Sequence, residues 1–251
     1  MKIVLFVFFL PVFALLHAQT PEYITRELNK VYSSEQYKRD SAFVISVSWP
    51  EFKEDGPNGS LAQTLNFEIK NILQVGTGTV AGAVDSMIAT YKAWESEDDF
   101  GAYWSHEHNI SVRVTGGKII SLIENGWDYA GGAHGLGYVT YYNYSVETEK
   151  KLELSDLIVS GGEKLLTAQA EEIFRKQNDL VGKDLTEAGF WFGENGFTLN
   201  TNFIVDEKSI TFFYNSYEIA PYAYGPTEIT IPFENFKQVI KKDGPLGFVF
   251  K

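Results

Sequence analysis

The chain has no cysteine in its 251 residues. No disulfide framework can brace it, and no lipidated cysteine can anchor it. After residue 18 it has no apolar run of spanning length, which leaves no further candidate for a transmembrane helix. Basic residues are outnumbered by acidic ones, 21 to 33, for a formal net charge of −12. A surface of this balance repels nucleic-acid phosphates and anionic membrane and suits basic partners. Three sequence signatures are missing as well. There is no G-x-G-x-x-G or Walker spacing between a strand and a helix, no H-E-x-x-H and no G-x-S-x-G. Nucleotide binding is therefore unsupported. No catalytic residue, metal ligand set or cofactor is assigned.

The chain does begin with the pattern of a secretory leader over residues 1–18. Lys2 supplies the charged start, residues 3–16 are almost uniformly apolar, and Ala18 can precede the cut. Loss of Lys2 with the leader would take the net charge from −12 to −13. The expectation is an exported protein, periplasmic or extracellular, with no membrane span after cleavage. Apolar residues at 44% and aromatics at 15% fit a folded body rather than a disordered one. Without disulfides its stability must come from packing, which is feasible at this length.

The rest of the chain is arranged around residues 129–138, Tyr-Ala-Gly-Gly-Ala-His-Gly-Leu-Gly-Tyr. Gly131, Gly132, Gly135 and Gly137 fall within seven positions, too many for a helix or a central strand. The tyrosine-rich strand that follows, 139–146, alternates at period two. Two uses of the bend are open. Its backbone N–H groups can cradle an anion or a partner's edge, or it can be a crowded crossing between two halves of a sheet. Close packing is the commoner use of such glycines.

In order, residues 19–39 are polar and without apolar period, and read as a linker or loosely docked arm. Phe43, Val44, Ile45, Val47 and Trp49 form a first strand. Ser60 suits a helix N-cap, followed by Leu61, Leu65, Ile69, Ile72 and Leu73 at helical spacing. A second helix places Val84, Met87, Ile88, Tyr91 and Trp94 inward and ends in an acidic run, 95–99, read as a solvated face. A hairpin turns at Gly116-Gly117, with arms through His108–Val114 positions and 118–124. After the central bend, a third helix carries Leu166, Ala170, Ile173 and Phe174 inward. A further hairpin is expected over 197–214, turning at 206–208. A short strand covers 228–231, and a closing helix begins at Pro232 with Phe233, Phe236, Val239 and Ile240 inward. Strands that come in hairpins among helices predict an α+β fold with antiparallel sheet and covering helices, not a doubly wound parallel one. Two intertwined subdomains are expected, 40–137 and 138–251.

Gly131-Gly132-Ala133-His134, Tyr141-Tyr142-Asn143-Tyr144, Leu152-Glu153-Leu154-Ser155-Asp156-Leu157 and the crossover 217–225 (Tyr-Glu-Ile-Ala-Pro-Tyr-Ala-Tyr-Gly), followed by 227–232, resemble the RsiV/PdaC-like family of secreted bacterial envelope domains of unknown function. The order and spacing of these motifs carry the likeness, which extends from about residue 43 to 240. The resemblance implies an α+β envelope domain. One relative is the lysozyme-binding extracellular part of an anti-sigma factor, and another is the non-catalytic part of a peptidoglycan deacetylase. This chain shows neither a sigma-binding region nor the metal-binding His/Asp pattern of the deacetylase, so those activities are not carried over. A lysozyme-like basic protein and peptidoglycan are the partners it suggests.

Candidate chemistry is thin. His106 and His108 share one face of a strand and would chelate a metal if a third ligand approached; otherwise they make ordinary hydrogen bonds. His134 with Asp128 and Ser105 can be drawn as a triad, although the simpler role of His134 is to pin the glycine bend. Asp98/Asp99 and Glu124/Asp128 are the carboxylate pairs a glycosidase would need. The aromatics say more. His134, Trp191, Phe192, Tyr217, Tyr222 and Tyr224 form the candidate ligand- or partner-binding set, able to stack on sugar rings or anchor a protein interface, with sheet core as their alternative. The expected function is a non-catalytic binding module of the cell envelope. A cell-wall hydrolase using carboxylates or His134, and a structural envelope domain without a small ligand, are the alternatives.

Overall fold

The computed structural model of the chain describes residues 20–97, 102–193 and 196–250. The expected leader and the Asp98/Asp99 pair lie outside the described residues.

Five strands form the first sheet in sequence order: β1 (Tyr23–Ser34), β2 (Arg39–Phe52), β3 (Trp104–Thr115), β4 (Ile119–Ala130) and β5 (Leu136–Ser145). Three of the four pairings are antiparallel, as the hairpin reading predicts; β2 and β3 run parallel. That one parallel pair follows from the two helices between them, α1 (Gly59–Ile72) and α2 (Val80–Glu95), since parallel neighbours need a long crossover. Leu61, Leu65, Ile69 and Ile72 of α1 pack on Ile110, Ile120, Leu122 and Tyr144. Val84 and Tyr91 of α2 pack on Phe43, Ile45 and Val47. Both helices thus cover one face of the sheet.

Several expectations are corrected. Residues 23–34, read as part of a linker, are a twelve-residue edge strand in register with β2 from Tyr23↔Phe52 to Tyr32↔Phe43. Most of its side chains are exposed, so it has little apolar period to read; backbone pairing with β2, with Leu28 and Tyr32 packed against the α2 cluster, holds it. The helix α1 starts at Gly59 after Asn58, one residue before Ser60, and has no side-chain cap. Glu95, placed on a solvated face, is 4% exposed and accepts the Tyr32 hydroxyl at 3.0 Å.

The remaining elements are α3 (Leu154–Leu157), α4 (Glu163–Gln177), β6 (Phe203–Val205), β7 (Ser209–Tyr214) and β8 (Thr227–Pro232). β6, β7 and β8 make a three-stranded antiparallel sheet. Leu166, Ala170 and Phe174 of α4 join Phe212, Ile229, Ile231 and Phe236 in its core. Only 203–205 of the expected strand from 197 is strand, and the closing helix is two 3₁₀ turns, Phe233–Asn235 and Lys237–Val239. The spacing of Phe233 and Phe236 serves a 3₁₀ turn as well as an α-helix, because side chains three apart align there. The subdomain division placed at 137/138 falls inside β5, which completes the first sheet.

The seam between the sheets runs along the outer edge of β5, and asparagine side chains fill it. Asn215 Oδ1 accepts from Val139 N at 2.7 Å, and Asn202 Oδ1 accepts from Tyr141 N at 2.9 Å. Asn202 Nδ2 donates to Val139 O at 2.8 Å, and Asn143 Nδ2 donates to Phe203 O at 2.7 Å. These amides do for an edge strand what another strand would do, leaving fewer orphan main-chain groups.

Candidate functional site

The central glycines form the turn between β4 and β5 and the seat of a tryptophan. Gly131 and Gly132 take φ of +85° and +95°, a region L side chains disfavour, and so reverse the chain. Gly135 serves a different need: a Cβ there would lie 2.4 Å from Trp127 Cζ2. The indole of Trp127 therefore rests against backbone at Gly135, with ordinary contact to Gly137. Gly126 likewise makes room for the Tyr138 ring across the strand pair. The crowding expected at this stretch is the packing of rings on a hairpin.

Over this turn stands a stack of rings. His134 lies nearly parallel to Tyr222, centroids 3.8 Å apart at 13°, and Tyr222 meets Tyr217 at 5.5 Å and 36°. His134 Nδ1 donates to Gly135 O at 3.0 Å, and the Tyr222 hydroxyl donates to the same carbonyl at 3.1 Å. Tyr217 is 49% exposed and holds φ at +72°. A bulky residue in that region costs about 1–3 kcal/mol, so the surrounding structure must impose it. The crossover that carries Tyr217 and Tyr222 also brings up Trp191, whose main-chain N–H donates to Ile219 O at 2.8 Å. Tyr224 donates its hydroxyl to Ala188 O at 3.2 Å and sets its ring edge-on to Phe190. Trp191 and Tyr224 are about half exposed, at 51% and 55%.

Phe192 leaves the expected set. Its ring packs against Phe174, Phe197 and Tyr214 and belongs to the core of the second sheet. Of the other candidates, His134, Tyr217 and Tyr222 come together, while Tyr224 follows on the same crossover and Trp191, on the loop after α4, is tied to it through Ile219 O. Beside the stack opens a cleft of about 350 Å³, lined among others by Asn125, Trp127, Tyr138, Phe213, Asn215 and Tyr222. Its size is at the small end of ligand sites, and its aromatic walls with a few amides have their composition. Asn125, Trp127 and Asn215 escaped the sequence reading, because only strand register and the tight turn bring them beside Tyr222.

A second polar feature lies under the helices. His106, His108 and Ile110 face Asp128, Gly126 and Glu124 across the β3–β4 pair. His106 Nδ1 sits 2.5 Å from Asp128 Oδ1, and His108 Nε2 sits 2.9 Å from Glu124 Oε1. The latter contact is close but poorly aligned, for His108 Nε2 has no partner of full hydrogen-bond geometry. Tyr142 donates to Glu124 Oε2 at 2.7 Å. Burial alone would raise the Glu124 carboxyl, yet the close approach of His108 and the hydroxyls of Tyr142 and Tyr138 outweigh it and hold it below its ordinary value. The Tyr138 and Tyr142 phenols are pushed well up, by burial first and then by Glu124.

This geometry disposes of two sequence-level groupings. Asp128 is engaged by His106, and Ser105 alternates to the opposite face from His106, so the His134–Asp128–Ser105 triad is not assembled. Glu124 and Asp128 are roughly 13 Å apart along β4, wider than a glycosidase acid–base pair, and each turns to its own histidine. Among the described residues, no group of three or more His, Asp and Glu is placed to hold a metal ion. Nor is any helix there long and apolar enough to cross a membrane.

Residues 155–234 match the family model described as "Protein of unknown function (DUF3298)". Over 229 residues the chain is 20% identical to peptidoglycan-N-acetylmuramic acid deacetylase PdaC of Bacillus subtilis (strain 168). That alignment takes in 86% of this chain but 44% of PdaC, so the chain spans less than half the length of this curated relative. Two solved structures of DUF3298 family members share the fold. One, from Bacteroides fragilis, has TM-score 0.70 at 22% identity, covering 93% of this chain and 99% of the other. The second, from Pseudomonas aeruginosa PAO1, has TM-score 0.60 at 19% identity, covering 90% and 96%. The likeness to PdaC-like domains expected from the motifs is borne out.

Proposed function

We propose that this chain, a PdaC-like domain of unknown function carrying a DUF3298 segment, is an exported binding module of the bacterial cell envelope whose ligand is cell-wall glycan. The observation that carries this reading is the fixed stack of His134, Tyr222 and Tyr217 beside the cleft walled by Trp127. Rings locked by hydrogen bonds to Gly135 lose little freedom when a sugar or partner settles on them. Tyr217 holds a strained backbone with its ring half in solvent against Tyr222, a strain of the kind that gathers at binding sites. The likeness to PdaC, named for its action on peptidoglycan, and the leader-like start of the sequence support an envelope setting.

A second reading rests on charge. With a net charge of −12 the surface suits a basic protein of the lysozyme kind. Sedimentation with purified peptidoglycan, run beside capture on immobilised lysozyme, separates the two. The glycan reading expects the protein to pellet with peptidoglycan, and Tyr222→Ala to lower the bound fraction at least tenfold with the melting transition retained, as for an aromatic anchor. Capture by lysozyme alone, abolished by moderate salt, would favour the second reading and overturn the first. Product release that disappears in His134→Ala would instead mark a hydrolase.

A further inference from the structure

We infer that the cleft beside the ring stack selects N-acetylated amino sugars over their free-amine forms, with Asn125 and Trp127 reading the acetamido group; this rests on the glycan reading of that cleft. Charged residues make up 22% of the chain, yet none of the residues lining the cleft carries a charge. Asn125, Trp127, Tyr138, Phe213, Asn215 and Tyr222 wall it, with small or apolar residues and Ser216 between them. Strand alternation produces this. Asn125 and Trp127 lie on one face of β4, while Glu124 and Asp128 alternate to the other and meet His108 and His106 there. Glu218, next to Tyr217, has its carboxylate held by the side-chain amides of Asn215 and Asn200, at 3.0 and 3.3 Å.

A free amino sugar brings an ammonium group. Seated in this cleft it loses water and gains no carboxylate partner. The faces of Trp127 and Tyr222 repay part of that loss. The net charge of −12 also draws cations from a distance, but that pull fades beyond about 8 Å in physiological salt. An acetamido group escapes the cost. It is neutral, its methyl is apolar, and its C=O and N–H ask for one donor and one acceptor. Asn125 offers both. Its amide is exposed and makes no side-chain hydrogen bond among the described residues, whereas Asn202 and Asn215 are spent on Val139 and Tyr141. Two positions along the same face of β4, the Trp127 indole rests on the backbone of Gly135 and Gly137 and is 39% exposed. It gives the acetyl methyl an apolar surface beside the amide.

Calorimetric titration at about 0.15 M salt, where distant charge is screened, tests this with chitotriose, its fully de-N-acetylated form and cellotriose. The full chain should bind chitotriose at least tenfold more tightly than either of the others. Asn125→Ala should lower the affinity for chitotriose at least fivefold. Asn125→Asp keeps the shape and adds a charge, and should invert the order so that the free amine binds more tightly. Equal affinity for chitotriose and cellotriose in the unsubstituted protein, or tighter binding of the free amine, overturns the acetamido assignment and leaves the glycan reading standing. So does a preference for chitotriose that both Asn125 variants retain at full strength. Binding of none of the three sugars overturns the assignment and the glycan reading together.

Discussion

Tyr217 sets the tone at the scale of single residues, because its backbone and its ring pull in opposite directions. The φ of +72° is costly for tyrosine and free for glycine. Tyr217→Gly should therefore raise stability by about 1 kcal/mol, or a melting shift of roughly 2–4 °C, while glycan binding weakens. A variant that melts lower would show that the ring serves packing. Glu124 gives a prediction of the opposite kind. Its carboxyl is held below the ordinary value, so the stabilisation it provides is present above the unfolded carboxylate range and lost as pH falls through its folded value. Tyr138 and Tyr142 are shifted up, so their contribution is present below the ordinary phenol value and lost as pH climbs beyond it. Glu124→Gln should cost about 1–3 kcal/mol near neutral pH, since it removes the charge from a buried acceptor that the Tyr142 hydroxyl bonds at 2.7 Å. Denaturant unfolding across pH should also show its acid limb flattened. An unchanged acid limb would mean that other carboxylates govern acid stability.

Among the elements, what the sequence made legible depended on which side of each element is buried. The helices α1, α2 and α4 were readable because one face packs on a sheet and the other meets solvent, which writes a period of 3.6 into the chain. β3 and β4 were readable as a hairpin through Gly116-Gly117, which takes positive φ at both glycines. β1 was not, because as an edge strand it packs only Leu28 and Tyr32 against the α2 cluster, too few positions to write an apolar pattern; its register sits in the backbone of β2. The candidate site was half legible. Tyrosines and a histidine in glycine- and proline-bounded loops marked His134, Tyr217 and Tyr222, whereas Phe192 looked the same in sequence and belongs to the core. Trp127, on a strand with no remarkable neighbours, was invisible until Gly135 was seen to make room for it. At this scale the asparagine seam supplies a prediction. Asn202→Ala orphans Tyr141 N, while Val139 O keeps Asn215 Nδ2 at 3.1 Å, and should destabilise by about 1–3 kcal/mol, with amide exchange accelerated in β5 but not in β2. Uniform acceleration across both strands would contradict a local role for the amide.

For the whole molecule, two sheets meet along one strand, and the features able to recognise a ligand lie on that meeting line. The helix-covered face of the first sheet spends its polar groups internally, His106 on Asp128 and His108 on Glu124. The rings at the β4–β5 turn are left in solvent. A body without cysteine is thus held by packing and by hydrogen bonds across the seam, and its surface chemistry is concentrated at one end of β5. The most direct test is nuclear magnetic resonance of isotope-labelled protein titrated with soluble peptidoglycan fragments. Shifts should gather at the Trp127 indole N–H and at the amides of His134, Gly135, Tyr217 and Tyr222. Shifts confined to β1 or to the neighbourhood of His106, with those five signals unmoved, would contradict it.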